Sequence, residues 1–200
     1  MAAPLVLYDN RGSSNALKVR FLLNELGLAA DLREVPLSQE RPQWYRQVHP
    51  FGAVPCLVDG DLRIVESNTI LRYLADREGR FDLYPRDPAA RARVDQLLDV
   101  LSLAIRPALW EVELRTYYAQ DPVAQAELDD ALRGLDEALA GWEALIEPGG
   151  YVTGAFSIAD IAAAARMWLV PKLPVTLAGF PKTQQMLDVV GARPALRAAL

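Results

Sequence analysis

The chain has 200 residues, 52% of them apolar, and a formal net charge of −5 with the two signs scattered along its length. That length supports one large or two small domains with real cores, and the charge pattern offers no basic stripe for a nucleic acid. No stretch approaches the roughly 18 uncharged apolar residues of a membrane-spanning helix, and Met1-Ala2-Ala3-Pro4 leads into no signal-peptide apolar region, so a cytoplasmic protein is expected.

The single cysteine, Cys56, excludes an internal disulfide and a Cys-x-x-Cys redox centre, and the single histidine, His49, argues against a His-based metal site. Arginine greatly outnumbers lysine, which occurs only at Lys18, Lys172 and Lys182. Together with abundant alanine this reads as the base composition of a GC-rich genome rather than as function.

In chain order, Leu5-Val6-Leu7-Tyr8 reads as a strand, Asn15 to Leu26 as a helix closed by Gly27, and Asp31 to Val35 as a second strand. Cys56-Leu57-Val58 and Leu62-Arg63-Ile64-Val65 then form a hairpin across Asp59-Gly60-Asp61. After Glu66-Ser67-Asn68 an amphipathic segment places Ile70, Leu71, Leu74 and Ala75 on one face. Residues 1–77 therefore make a βαβ unit followed by ββα, with 78–87 as a linker.

Beyond the linker, strand signals stop. Asp87-Pro88 opens a long helix expected to reach about Tyr118 with a kink at Pro107, and Asp121-Pro122 opens another lasting to about Ile146. Ser157-Ile158-Ala159-Asp160 has the capping-box pattern before an alanine-rich helix that should be buried. Short helices near 181–190 and 194–199 complete an all-helical region over 88–200.

Two short motifs carry chemistry. Pro55 cannot donate to a strand ladder, so it is either a trans strand opener or a cis proline; a cis bond would leave the Val54 N–H and C=O free to pair with an extended ligand. Ser67 lies near a helix N-terminus, whose unpaired N–H groups and positive dipole end suit a carboxylate, although a serine there also serves as a plain cap.

A βαβ–ββα unit with a proline before its hairpin, joined to an all-helical region, resembles the glutathione S-transferase family over essentially the whole chain. The resemblance rests on Gly52-Ala53-Val54-Pro55, Glu66-Ser67, Gly154 followed by Ser157-Ile158-Ala159-Asp160, and Ala192-Arg193-Pro194-Ala195-Leu196, in that order and spacing. It implies an α+β thioredoxin-like N-terminal domain with a mixed four-stranded sheet, followed by an all-α C-terminal domain. It also implies glutathione as co-substrate, with no metal. In the family the proline is cis. Carried over, Val54 beside Pro55 pairs with the cysteinyl backbone of glutathione, Ser67 takes its γ-glutamyl carboxylate and Glu66 its ammonium group. Arg41 stands where related proteins carry a basic residue and is a candidate for the glycyl carboxylate, or a solvated loop charge.

A thiol is mostly protonated at neutral pH, so a transferase must stabilise the thiolate. Set against serine-type classes, theta-like and bacterial, Ser13 in Asn10-Arg11-Gly12-Ser13-Ser14-Asn15-Ala16-Leu17-Lys18-Val19-Arg20 falls on the catalytic serine. Ser14 and Tyr8 are the alternates. The tyrosine-type position is Leu7, and a one-residue offset would turn the Tyr8 hydroxyl to the other face. The same stretch resembles the zeta class, but Asn15 stands where that signature has cysteine.

The family's electrophile site implies a pocket that includes Asn10, Arg11, Arg106, Trp110, Glu113 and Tyr117, with Tyr118 near them, although such an aromatic stripe also reads as core. Relatives are mostly homodimers, and Asp95 or Asp99 stands where a neighbouring subunit meets the glutathione ammonium. The expected function is conjugation of the glutathione thiolate to a small electrophile, as in detoxification. Its alternatives are a zeta-like maleylacetoacetate-type isomerase and a non-catalytic binding or scaffold protein, the latter motivated by His49 and Ala53, where relatives carry other residues.

Overall fold

A computed structural model describes residues 4–37 and 40–200; Met1-Ala2-Ala3 lies outside them. By internal contacts the chain falls into two units, one running to Tyr84 and including Ala192–Leu200, the other Pro85–Gly191.

In the first unit, strand β1 (Leu5–Asp9) leads to helix α1 (Ser14–Leu26), β2 (Ala30–Glu34), α2 (Gln43–Val48), β3 (Cys56–Asp59), β4 (Leu62–Val65) and α3 (Ser67–Arg77). The sheet order is β2-β1-β3-β4, with β1 parallel to β2 and antiparallel to β3, and β3 antiparallel to β4. This is the thioredoxin-like mixed sheet expected. Gly27 ends α1 in the left-handed conformation, φ +64°, which glycine adopts without a Cβ clash. The hairpin turns on Gly60-Asp61, and Asp59 ties it to α3 by accepting from Tyr73 Oη at 2.7 Å and pairing with Arg77 at 2.8 Å.

Strand alternation sorts the sheet's side chains. Tyr8, Val54 and Cys56 join Val35 and Tyr45 of α2 in one buried cluster. Leu7 and Leu57, paired across β1 and β3, point the other way and are fully buried too. Helix α2 is an element that sequence periodicity did not reveal, because in six residues only Tyr45 is buried.

The second unit holds α4 (Pro88–Val100), a π-helical segment (Leu101–Ile105), α5 (Arg106–Arg115), α6 (Gln125–Leu145), α7 (Ile158–Arg166), a short 3₁₀ turn (Val170–Lys172) and α8 (Pro181–Gly191). The kink expected at Pro107 takes the form of the π segment: the Arg106 N–H bonds to the Leu101 carbonyl, five residues back, just ahead of a proline with no N–H to give. The long helix ends at Arg115, before Tyr117 and Tyr118. Asp121-Pro122 does not open α6, which begins at Gln125 and carries Glu127 in its first turn, where an acid favours the helix dipole. All nine residues of α7 are buried behind a complete capping box between Ser157 and Asp160.

The last helix, α9 (Pro194–Ala199), belongs to the first unit, not to a helical region running from 88 to 200. Its packing partner there is α1: Asn24 Nδ2 donates to the Ala195 carbonyl at 3.0 Å, and Arg20 Nε donates to the Ala199 carbonyl at 2.9 Å. Among the described residues no helix is long and apolar enough to cross a membrane.

Candidate active site

Strand register gathers three loops at one end of the sheet. Tyr8 pairs with Cys56, and Cys56 with Val65, so these three lie in one row across β1, β3 and β4. From that row the chain departs into Asn10–Ser13, arrives from Val54-Pro55, and leaves into Glu66-Ser67.

The first loop is shaped by Asn10. Its Nδ2 donates to the Val35 carbonyl at 2.9 Å, its Oδ1 accepts from the Gly12 N–H at 3.0 Å, and its carbonyl accepts from the Ser13 N–H at 2.9 Å. Ser13 is consequently the N-cap of α1, in extended conformation, with Oγ accepting from the Ala16 N–H at 3.3 Å. As an acceptor in that bond it keeps its own O–H to donate, at the positive end of α1. Ser14 is the first helical residue. Arg11 is exposed and reaches the Leu200 carbonyl at 3.5 Å.

Tyr8 is occupied elsewhere. Its ring packs against Tyr45 and Trp44 at centroid distances of 5.6 and 6.1 Å, and its hydroxyl accepts from Arg33 at 3.3 Å. This is the setting of a packed tyrosine on the α2 face of the sheet.

In the second loop the Val54-Pro55 peptide bond is cis. Among the described residues no backbone hydrogen bond engages Val54, whose side chain is buried. The preceding turn is built by His49 and Arg41. His49 is buried and its Nδ1 accepts from the Phe51 N–H at 3.3 Å, while desolvation lowers its pKa in keeping with a neutral ring. An asparagine oxygen makes the same two-residue bond, which is why histidine is accommodated here. Arg41 donates to the carbonyls of Gly52 at 2.9 Å and Pro36 at 2.6 Å, so it braces this loop. Cys56 is fully buried and desolvation pushes its thiol up to about 11, the state of a packed apolar residue rather than a nucleophile.

In the third loop Glu66 holds φ at +69°, a left-handed conformation rare for a side-chain-bearing residue, and stands exposed at the N-cap position without a side-chain cap bond. Ser67 follows, buried, at the start of α3. Its Oγ accepts from Lys18 Nζ at 3.4 Å, and the neighbouring Asn68 Oδ1 accepts from the same ammonium at 3.1 Å. Sequence patterning gave Lys18 no role. The available signal was that α1 is apolar enough to be buried on every side from Ala16 to Leu23, so Lys18 and Arg20 within it need polar partners.

In the second unit, Trp110 and Tyr118 lie 5.4 Å apart, Tyr118 and Tyr117 5.0 Å, and Lys172 Nζ is 6.0 Å from the Tyr117 ring. Trp110, Tyr117 and Arg106 are exposed. Glu113 departs from this set: it is buried and its Oε1 accepts from Arg166 at 2.6 Å. Desolvation raises its pKa while Arg166 opposes the shift, so its charge serves an internal ion pair rather than a pocket wall.

Residues 7–81 match the model of the glutathione S-transferase N-terminal domain. The chain is 31% identical to glutathione S-transferase 3 of Zea mays over 98% of its own length and 92% of that protein's. The chain belongs to the glutathione S-transferase family. Glutathione S-transferase GstB of Escherichia coli is 29% identical, with 96% of each chain covered. Among solved structures, a glutathione transferase homolog from Drosophila mojavensis with bound glutathione superposes with a TM-score of 0.84 at 25% identity, covering 100% of this chain and 95% of that one. The cis Val54-Pro55 bond, the Glu66-Ser67 helix start and the serine cap of α1 all adjoin the row Tyr8–Cys56–Val65 at the end of the sheet.

Proposed function

We propose that this glutathione S-transferase family member is a transferase that binds glutathione along the end of its sheet and conjugates it to a small electrophile. The observation that carries the reading is the row Tyr8–Cys56–Val65, which delivers to the same edge a serine-capped helix start, a Val54 backbone that no backbone hydrogen bond engages among the described residues, and the start of α3. Glutathione is short and extended, with two carboxylates and one ammonium. Val54 meets its backbone as an added strand would, Ser67 and the start of α3 take the γ-glutamyl carboxylate, and Glu66 takes the ammonium. Arg41, already bracing the Gly52 and Pro36 carbonyls, is the nearest candidate for the glycyl end.

Ser13 is the group we assign to the thiol. Its hydroxyl donates toward sulfur while its lone pair is held by the Ala16 N–H, and the positive end of α1 favours the anion. Conjugation forms a sulfur–carbon bond and displaces the leaving group with its electron pair. The exposed aromatic group Trp110, Tyr117 and Tyr118 supports an apolar electrophile. Phe51 and Leu103, 82% and 80% exposed, are the apolar residues a second copy would cover in a homodimer, which light scattering tests.

The function is tested by calorimetry with glutathione followed by turnover with an aryl halide. Saturable binding and conjugate formation are expected. Binding without turnover across a broad electrophile panel would leave only a binding protein.

A further inference from the structure

Lys172, in the 3₁₀ turn, holds its ammonium 5.2 Å from the Trp168 ring and 6.0 Å from the Tyr117 ring, the distances of a cation against a π face. Such a contact fixes where the charge sits without neutralising it, because a ring offers a quadrupole and no net charge. Lys172 is exposed, and among the described residues its ammonium makes no hydrogen bond or ion pair, so its donors remain available to an anion.

The rings continue from there. Tyr117 meets Tyr118 edge-on at 5.0 Å, and Tyr118 meets Trp110 of α5 at 5.4 Å. Each of the three is between 41% and 46% exposed, so they present ring surface to a flat molecule rather than filling a core. The charges of α5 are sorted by sign. Glu111 is paired with Arg115 at 2.5 Å, and Glu113 turns inward to Arg166 at 2.6 Å. Arg106, one turn ahead of Trp110, is exposed, and among the described residues its side chain acts on Glu113 through space without a hydrogen bond or ion pair. The aromatic set, all of it within the second unit, thus has a cation beside Trp110 and another beside Tyr117, while the acids of α5 are engaged elsewhere.

We propose that Lys172 is a specificity-determining residue for the electrophile, and that the class it selects is a flat aromatic electrophile carrying a negative charge, such as a nitro-activated halobenzoate, over its neutral counterpart. The aromatic body lies on the rings and the anionic substituent meets the ammonium. This deepens the conjugation reading above and rests on it for the reaction.

The test is turnover of 4-chloro-3,5-dinitrobenzoate and of its primary amide at saturating glutathione, in the wild type and in Lys172→Gln. The two halides share the reacting carbon and differ in charge. In both, the thiolate sulfur bonds to the ring carbon and chloride leaves with the electron pair of the broken carbon–chlorine bond. An exposed ion pair corresponds to a few-fold in affinity, so Lys172→Gln should raise KM for the benzoate about fivefold and leave that for the amide within about twofold, with little change in kcat. Added salt should raise KM for the benzoate more in the wild type than in the variant. Equal shifts for the two halides, or none for either, would overturn the role of Lys172. If neither halide turns over, the conjugation reading fails, and the anion preference is decided separately by quenching of tryptophan fluorescence with 3,5-dinitrobenzoate and its amide. A benzoate affinity that falls about fivefold in the variant, with the amide unmoved, would uphold the preference, and equal benzoate affinities in the two proteins would overturn it.

Discussion

Arg20 on α1 sets its Nη1 2.5 Å from Asp9 Oδ1 at the end of β1, with both side chains buried. The same guanidinium donates to the carbonyls of Asn10 at 3.3 Å, Arg11 at 3.4 Å and Ala199 at 2.9 Å. One side chain thus joins β1, the Ser13 loop and α9. Breaking a buried pair by removing one partner strands the other charge, at a cost of about 3–5 kcal/mol. Arg20→Met and Asp9→Asn should each lower urea-unfolding stability by about that amount, and the double variant should lose less than the sum.

Glu66 is expected to show a split between backbone and side chain. Its φ of +69° costs a residue with a Cβ on the order of 1 kcal/mol that glycine does not incur. Glu66→Gly should therefore unfold at higher denaturant than Glu66→Ala. Both should bind glutathione more weakly than wild type, since both lack the carboxylate assigned to the ammonium.

Cys56 should behave as core. Burial and a thiol raised to about 11 predict very slow alkylation in the native protein at pH 7 and rapid alkylation after unfolding. Cys56→Ala should retain conjugation. Loss of turnover in a folded Cys56→Ala protein would point instead to a cysteine-dependent chemistry.

Asp160 gives a pH signature. Its Oδ2 accepts from the Ser157 N–H at 2.8 Å and its Oδ1 from the Val152 N–H at 2.8 Å, yet burial raises its carboxyl from 3.8 to about 6. With the folded pKa above the unfolded one, the native state holds the proton more tightly. The associated stabilisation is fully present below about pH 4 and is lost as pH rises through about 6, an effect of about 3 kcal/mol. Denaturant unfolding of wild type and Asp160→Asn across that range should show a component that declines with pH only in the wild type.

The sequence made local features legible. Gly27, the hairpin at Gly60-Asp61 and the Ser157–Asp160 box are each set by residues within a few positions, and each appears where expected. The resemblance likewise implied the cis bond at Val54-Pro55. Pairings between distant segments were not legible. Lys18 meets Ser67 and Asn68, Arg166 meets Glu113, and α9 returns to α1, all across more than forty residues that hydrophobic periodicity does not connect. Glu113, which the resemblance implied for the pocket beside Trp110, instead has its carboxylate drawn inward by Arg166, a partner far along the chain.

In the proposed mechanism Ser13 stabilises the glutathione thiolate. The direct measurement is a pH titration of the thiolate absorbance of bound glutathione in the wild type and in Ser13→Ala, with binding established by calorimetry. A thiol pKa depressed in the wild type and relaxed in the variant, with turnover reduced about 10²-fold or more as for loss of one transition-state donor, is the predicted result. An unchanged titration and unchanged turnover in Ser13→Ala would contradict it.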